Sequence, residues 1–362
     1  MARSLLSAAV IGVLGLAGCS RSDGPRMAST AGGPTVPSQT SLVERLQSEH
    51  LPALLSVEPW GSGFGPGLKL TTDHYEIFTT VQQPLMLRRI PGFVESAYRG
   101  YNDQLAEPVE TGYKFTVYLF ADRRQWEEFT RDFAGEQAPV FCKIQTGAYY
   151  LNGACVVYDI GAVRTLAAVG HEGWHQFNSR LFKYRLPSWL DEGVAMLFEA
   201  SVYEQGLFRF DPSLNIQRLG ALKKTLATSK LIPLHELIVT SPGEVLASDQ
   251  TETVMAFYSQ SYALVRFLRE SRYEMRLNAY RKLMQDGLWG FWPLDASTGA
   301  VAENRNVPRT ISWNRTVGRL LFDRYVGSDM EQLDAEYQAF CRRLVGGMAF
   351  IEIEDGDRFA AK

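Results

Sequence analysis

Residues 171–177 read His-Glu-Gly-Trp-His-Gln-Phe, and residues 187–195 read Pro-Ser-Trp-Leu-Asp-Glu-Gly-Val-Ala. The first stretch lies within residues 161–182, whose apolar spacing predicts a helix. At about 100° per residue, His171 and His175 fall one turn apart on one face, so two imidazoles can meet a single ion. Glu172 projects at a neighbouring angle, within reach of a water on that ion without ligating the ion itself. The chain has five histidines, which makes this pair with a glutamate between them a pointed signal and not a chance spacing.

The second stretch opens a further helix, predicted over 187–203, with Pro187 suited to its start. A catalytic zinc site takes three protein ligands and keeps a fourth position for water. Glu192 is the expected third ligand, with Glu199 and Asp191 as competitors. Gly193 favours Glu192, because a position without a side chain lets the second helix pack close to the metal helix. Asp191 either orients a histidine through its far nitrogen or caps the helix. The expected cofactor is therefore Zn²⁺ on His171, His175 and Glu192. Glu172 is the expected catalytic base, taking a proton from the attacking water and passing it to the leaving amine.

Around this core of chemistry the chain is ordinary for a globular protein: 362 residues, 46% hydrophobic and 21% charged. A prior of about 150 residues per domain suggests two lobes. The net charge of −3 is spread along the chain with no long basic run, which argues against a nucleic-acid partner. Before residue 160 strand and helix signals alternate. Leu68–Thr80 reads as strand, Leu85–Leu105 as helix, Tyr113–Phe120 as strand, Asp122–Phe133 as helix, and Pro139–Asp159 as one or two strands. After residue 160 helix signals dominate, at about 213–227, 251–270, 274–287 and 329–345 besides the two helices already named.

Residues 1–18 read as a signal peptide: Arg3, then a short apolar run that ends in small residues. Its end, Leu16-Ala17-Gly18-Cys19, resembles the lipobox at which bacterial lipoproteins are cleaved and lipid-modified on cysteine. That resemblance implies a lipid on Cys19 and a place in the bacterial cell envelope outside the cytoplasm. Through Ser20 it also implies the outer membrane over the inner one if the host is Gram-negative. Residues 19–45 are expected to form a flexible tether, rich at first in Ser, Gly, Pro and Thr. No other stretch is long enough to span a bilayer, so the lipid is the only expected membrane contact. Cys142 and Cys155 flank a turn-like segment, and an oxidising compartment permits a disulfide between them; the alternative is buried thiols.

The motif His171-Glu172-x-x-His175, followed 17 residues after His175 by the Glu192 of Trp-Leu-Asp-Glu-Gly-x-Ala, resembles the gluzincin superfamily of zinc metallopeptidases. Within it the chain is most similar to a bacterial group of peptidase-MA-like domains of unknown function, often found on secreted proteins. Segments at 74–80, 117–120, 231–235 and 258–262 extend the similarity over most of residues 70–345. The resemblance implies an α+β, thermolysin-like fold, with a small mixed α/β lobe over 46–160, a helical lobe over 161–350 and the zinc between them. It implies hydrolysis of a protein or peptide substrate, and a tyrosine on a later helix to stabilise the oxyanion, which points to Tyr258 with Tyr262 as the alternative. Aminopeptidases of the superfamily carry a Gly-x-Met-Glu-Asn stretch whose acid binds the substrate amine. The corresponding residues here, Gly147-Ala-Tyr-Tyr-Leu-Asn152, lack the acid, which favours cleavage that does not depend on a free amine. Two other readings stay open: a binding or assembly factor with a non-catalytic zinc site, and a zinc hydrolase of a non-protein amide.

Overall fold

A stretch such as Phe115-Thr-Val-Tyr-Leu-Phe120 places apolar groups on both of its faces, so as a strand it has to be covered from both sides. The computed structural model, which describes residues 39–144, 147–247, 251–270, 274–307 and 310–346, covers it in this way. Helix α1 (Gln39–Ser48) leads into strands β1 (Ser56–Gly61), β2 (Pro66–Thr71) and β3 (Tyr75–Thr79). Next come α2 (Pro84–Asn102), β4 (Phe115–Phe120), α3 (Arg123–Ala134), α4 (Ala138–Phe141), β5 (Ala148–Leu151) and β6 (Ala154–Tyr158). The rest is helical apart from one hairpin: α5 (Ala162–Leu181), α6 (Ser188–Ala195), β7 (Ser201–Glu204), β8 (Leu207–Phe210), α7 (Ile216–Ala227), α8 (Leu234–Leu237) and α9 (Pro242–Ala247). It closes with α10 (Thr251–Glu270), α11 (Glu274–Trp289), α12 (Ala296–Glu303), α13 (Ile311–Tyr325) and α14 (Met330–Gly346).

Strands β1 to β6 form one mixed sheet in the order β1-β2-β3-β4-β6-β5, parallel where β3 meets β4 and β4 meets β6, antiparallel elsewhere. Side chains alternate across it. Val117, Leu119, Cys155 and Val157 enter the large core shared with α2, α5 and the later helices. Phe120, Val156 and Tyr158 enter a separate aromatic core with Trp126, Phe141 and Tyr149 under α3 and α4. The large core runs without a break from Leu68 on β2 to Phe340 on α14, so the sheet and the helices after it share one apolar interior.

Several expectations change. The disulfide does not form: Cys142 and Cys155 are both free. The alternation of β6 explains this. Cys155 points into the large core, whereas Cys142 follows Phe141, which packs in the core on the other face, and feels Glu127, Arg131 and Arg123 of α3 instead. The tether expected over 19–45 gives way to helix at Gln39, where Leu42 and Leu46 are buried and the Gln39 side chain donates to the Gly67 carbonyl at 2.5 Å. Cys19 and the remaining residues of the signal peptide and tether lie outside the described residues. The helix expected over 187–203 ends at Ala195. After a 3₁₀ turn the chain enters the β7–β8 hairpin, whose Gln205 and Gly206 take the left-handed backbone that a tight hairpin turn needs. Among the described residues no helix is long and apolar enough to cross a membrane.

Helix α5 is seated by glycines. A Cβ on Gly170 would lie 2.4 Å from the Phe198 carbonyl oxygen, and one on Gly173 would lie 2.4 Å from the Tyr101 hydroxyl. That hydroxyl donates to the Gly170 carbonyl at 2.7 Å, joining α2 to α5. Gln176 ties α5 to the sheet, donating to the carbonyls of Thr116 and Gly153 at 2.8 Å each. Gly193 serves a different neighbour from the one expected: it lets α6 close on α10, where a Cβ would meet the Ser261 carbonyl oxygen and Val265 Cγ2 at 2.5 Å. Helix propensity favours alanine at Gly193 by about 1 kcal/mol, but a backbone clash outweighs that. Gly193→Ala is expected to destabilise the fold by about 1–3 kcal/mol. A thermal melt compared with Gly112→Ala, where a Cβ meets nothing within 4 Å, checks it; equal midpoints would contradict the close approach.

Candidate metal centre

His171, Glu172 and His175 come from the middle of α5, where the helix is buried on all sides. The chain then reverses through 182–186, held by backbone hydrogen bonds from Lys183 to Leu288, from Tyr184 to Gly287 and from Arg185 to Ala302. This return brings α6 alongside α5. Glu192 thereby meets the two histidines: its Oε2 lies 3.6 Å from His171 Nε2 and 3.8 Å from His175 Nε2. The three ligand atoms all lie within 4.8 Å of one another, and all three residues are buried. Tetrahedral bonds of about 2.0–2.1 Å separate neighbouring ligand atoms by roughly 3.3 Å, so the spacing suits one small divalent ion.

Each imidazole has a carboxylate behind it. His171 Nδ1 is 2.9 Å from Glu199 Oε1, and His175 Nδ1 is 3.0 Å from Asp191 Oδ1. Those bonds hold the Nδ1–H tautomer and turn both Nε2 lone pairs toward Glu192. Asp191 is fixed in turn by Trp174 Nε1 at 3.1 Å and Asn178 Nδ2 at 2.7 Å. Glu199 is fixed by Arg218, which donates from Nε at 2.8 Å and Nη2 at 2.6 Å, and by Asn215 Nδ2 at 2.9 Å. Of the acids weighed against Glu192, both therefore orient histidines, and neither joins the cluster of ligand atoms. Arg218, Asn215 and Asn178 carry no signal in the motif, because they reach the site only through α7 and the last turn of α5.

The electrostatics follow from burial. Desolvation is the largest influence on Glu172. Both histidines and the Tyr150 backbone N–H lower its pKa and Glu192 raises it, leaving it at about 7. Burial opposes charge on the histidines, but Glu192 and Glu199 outweigh it at His171, and Asp191 and Glu192 push His175 up to about 10. Burial would raise Glu199 too; Arg218 and His171 instead hold its carboxyl well below the usual range. A metal ion competes with these protons for the same nitrogens and oxygens.

The four inward atoms share one property. His171 Nε2, His175 Nε2, Glu192 Oε2 and Glu172 Oε2 are each buried without a hydrogen-bond partner. Buried polar atoms are almost always paired, and three converging ligand-type orphans with a fourth on the neighbouring Glu172 are what a cation and its water would satisfy.

The structure separates the two candidate tyrosines on α10. The Tyr262 hydroxyl donates to the Pro212 carbonyl and accepts from Arg266 at 3.2 Å, so it is committed to the fold. Tyr258 is 6% exposed, and its hydroxyl makes no hydrogen bond among the described residues. Burial is the main reason its pKa is raised well above the usual value, with Glu192 and Glu172 adding to the shift. Arg218 lies over its ring at 5.8 Å. Of the remaining histidines, His74 binds Glu95 at 2.7 Å and stacks on Tyr98, away from this group.

A family model described as "Protein of unknown function (DUF1570)" matches residues 165–286, a span that includes His171, His175, Glu192, Glu199, Arg218 and Tyr258. No curated protein and no solved structure matches the chain.

Replacing Asp191 by asparagine keeps the shape but removes the charge behind His175. Asp191→Asn is expected to weaken binding of a divalent metal about 10- to 100-fold, measured by competition with a chromophoric chelator. Unchanged affinity in a folded variant would mean that the Asp191 charge does not support the metal site.

Proposed function

We propose that the chain is a zinc-dependent metallopeptidase of thermolysin-like architecture, held to the outside of a bacterial envelope membrane by a lipid on Cys19. The observation that carries this reading is the set of three orphaned ligand-type atoms within 4.8 Å of one another, with a fourth orphaned atom on Glu172, the residue next to His171 on α5. A site that bound zinc only for structure would have no use for a base beside it. The donor set, two imidazoles and one carboxylate, is the kind that catalytic zinc takes while keeping a position open for water.

Zinc bound there would supply Lewis acidity and bring the pKa of a water toward about 7. Glu172, buried beside the two histidines, accepts a proton from the attacking water and passes it to the leaving amine. Asp191 and Glu199 keep the imidazoles from turning, so no reorientation is needed during turnover. The buried Tyr258 hydroxyl, without an acceptor among the described residues, donates to the oxygen that gains charge on the substrate carbonyl.

Casein and a peptide panel, offered to the purified zinc-loaded chain, test this. Glu172→Gln is expected to retain zinc and lose about 10²- to 10⁴-fold in rate. Tyr258→Phe is expected to lower kcat about 10²- to 10³-fold with KM nearly unchanged. Full hydrolysis by a clean Glu172→Gln preparation would overturn the mechanism. For the anchor, radiolabelled palmitate should enter the wild-type protein in a bacterial host and be absent from Cys19→Ser; equal labelling of the two rejects the lipoprotein assignment.

A further inference from the structure

The two histidines and Tyr258 stand on different helices, α5 and α10, and one side chain from a third helix reaches toward both. Arg218 extends from the first turn of α7, and its side chain is 12% exposed. Its Nε and Nη2 meet the two carboxylate oxygens of Glu199 at 2.8 and 2.6 Å, and Glu199 Oε1 is 2.9 Å from His171 Nδ1. Its guanidinium carbon lies over the ring of Tyr258, 5.8 Å from the ring centroid. That is inside the range of about 6 Å over which a cation is drawn to an aromatic face.

Arg218 is held at both ends. Its backbone N–H donates at 3.2 Å to the side-chain oxygen of Asn215, the residue that caps α7. The Asn215 amide nitrogen donates in turn to Glu199 at 2.9 Å and to the Met196 carbonyl at 3.2 Å. The start of α7 is thereby locked to the 3₁₀ turn that Glu199 follows. At the other end, two hydrogen bonds to one carboxylate fix the plane of the guanidinium, which the single ammonium of a lysine cannot match.

Tyr258 has need of such a support. Its side chain is buried, yet its hydroxyl makes no hydrogen bond among the described residues. A hydroxyl that serves an oxygen appearing only during a reaction has to stay untied at rest, so its ring must be positioned by what lies against it. Tyr262, one turn along α10, shows the contrast: its hydroxyl is fixed by Pro212 and Arg266. Helix α10 itself brings Tyr258 to the site, because Ser261, three residues on, closes on Gly193 beside Glu192. A lysine could also neutralise Glu199, whereas a planar cation held over the Tyr258 ring calls for arginine.

We propose that Arg218 is a positioning residue for both halves of the centre: through Glu199 it orients His171, and over the Tyr258 ring it holds the hydroxyl where a substrate oxygen gains charge. This assignment rests on the peptidase reading and on the role given there to Tyr258.

A peptide phosphonate, which carries charged tetrahedral oxygens and is not cleaved, reads this by calorimetry on the zinc-loaded chain, with zinc affinity taken in parallel by chelator competition. Tyr258→Phe is expected to weaken phosphonate binding. Arg218→Lys keeps a positive charge on Glu199, so zinc affinity is expected to stay within about tenfold of the wild type. Its phosphonate binding should weaken about 2- to 30-fold, the size of a desolvated cation–π contact. In the Tyr258→Phe background the same exchange should change phosphonate binding by less than about twofold. On peptides, Arg218→Lys should lower kcat by a similar factor with KM nearly unchanged. Should Arg218→Lys fail to fold, Arg218→Gln combined with Glu199→Gln, which removes both charges of the pair together, enters the same cycle. Phosphonate binding that depends on Tyr258 and Arg218, without any peptide hydrolysis by the wild type, would reject the peptidase reading and keep Arg218 as the support of Tyr258. A loss from Arg218→Lys that persists in full in Tyr258→Phe, no loss from it beside an intact Tyr258, or phosphonate binding that is absent or indifferent to Tyr258 would overturn the assignment.

Discussion

Two imidazoles and two glutamates buried within a few ångströms of each other are the constraint from which much of this structure follows. Removing such groups from water costs several kcal/mol each unless charge and hydrogen bonds compensate. The compensation is built outward in layers. Asp191 and Glu199 sit behind the histidines, and Trp174, Asn178, Asn215 and Arg218 sit behind those acids. Each layer comes from a different element, so α5, α6, the 3₁₀ turn after α6 and α7 are tied together by the polar centre as well as by the apolar core. Only the inward face of the cluster is left unsatisfied.

Backbone proximity makes this layering feasible. Glycines at 170 and 173 let the 3₁₀ turn and Tyr101 press against α5, and Gly193 lets α10 press against α6. Tyr258 depends on that last contact, because α10 has to approach α6 closely for its hydroxyl to come near Glu192 and Glu172. The sheet contributes the opposite wall. Gln176 fixes α5 to β4 and to the turn before β6, and edge strand β5 brings the Tyr150 backbone N–H to the catalytic-type glutamate.

What could be read in advance was local. The segments 161–182 and 251–270 appear as α5 and α10 with nearly the expected ends, because their apolar periodicity is strong and long. The β7–β8 hairpin was missed although Gln205-Gly206 is a recognisable turn signal, since the helical pattern before it seemed to run on to residue 203. Helices α12 and α13 were missed as well. Their starts are marked by Asp295 and Thr310, which cap the backbone N–H groups of Thr298 and Trp313, but their own apolar pattern is weak. The Cys142–Cys155 bridge failed because nearness in sequence says nothing about which face of a strand a thiol occupies.

By itself the sequence determined that two histidines share one helix face with a glutamate at a neighbouring angle, and that Glu192 follows at a distance suited to a third ligand. Both statements depend only on helical periodicity and short spacing. The tertiary structure alone decided which acids stand behind the histidines, that Tyr258 makes no hydrogen bond among the described residues while Tyr262 is bound to Pro212 and Arg266, and that Arg305 caps the last carbonyls of α5. Those outcomes depend on which distant segments pack against α5. Partners such as Arg218 and Arg305 reach it through helices whose own sequences are indifferent to the metal site.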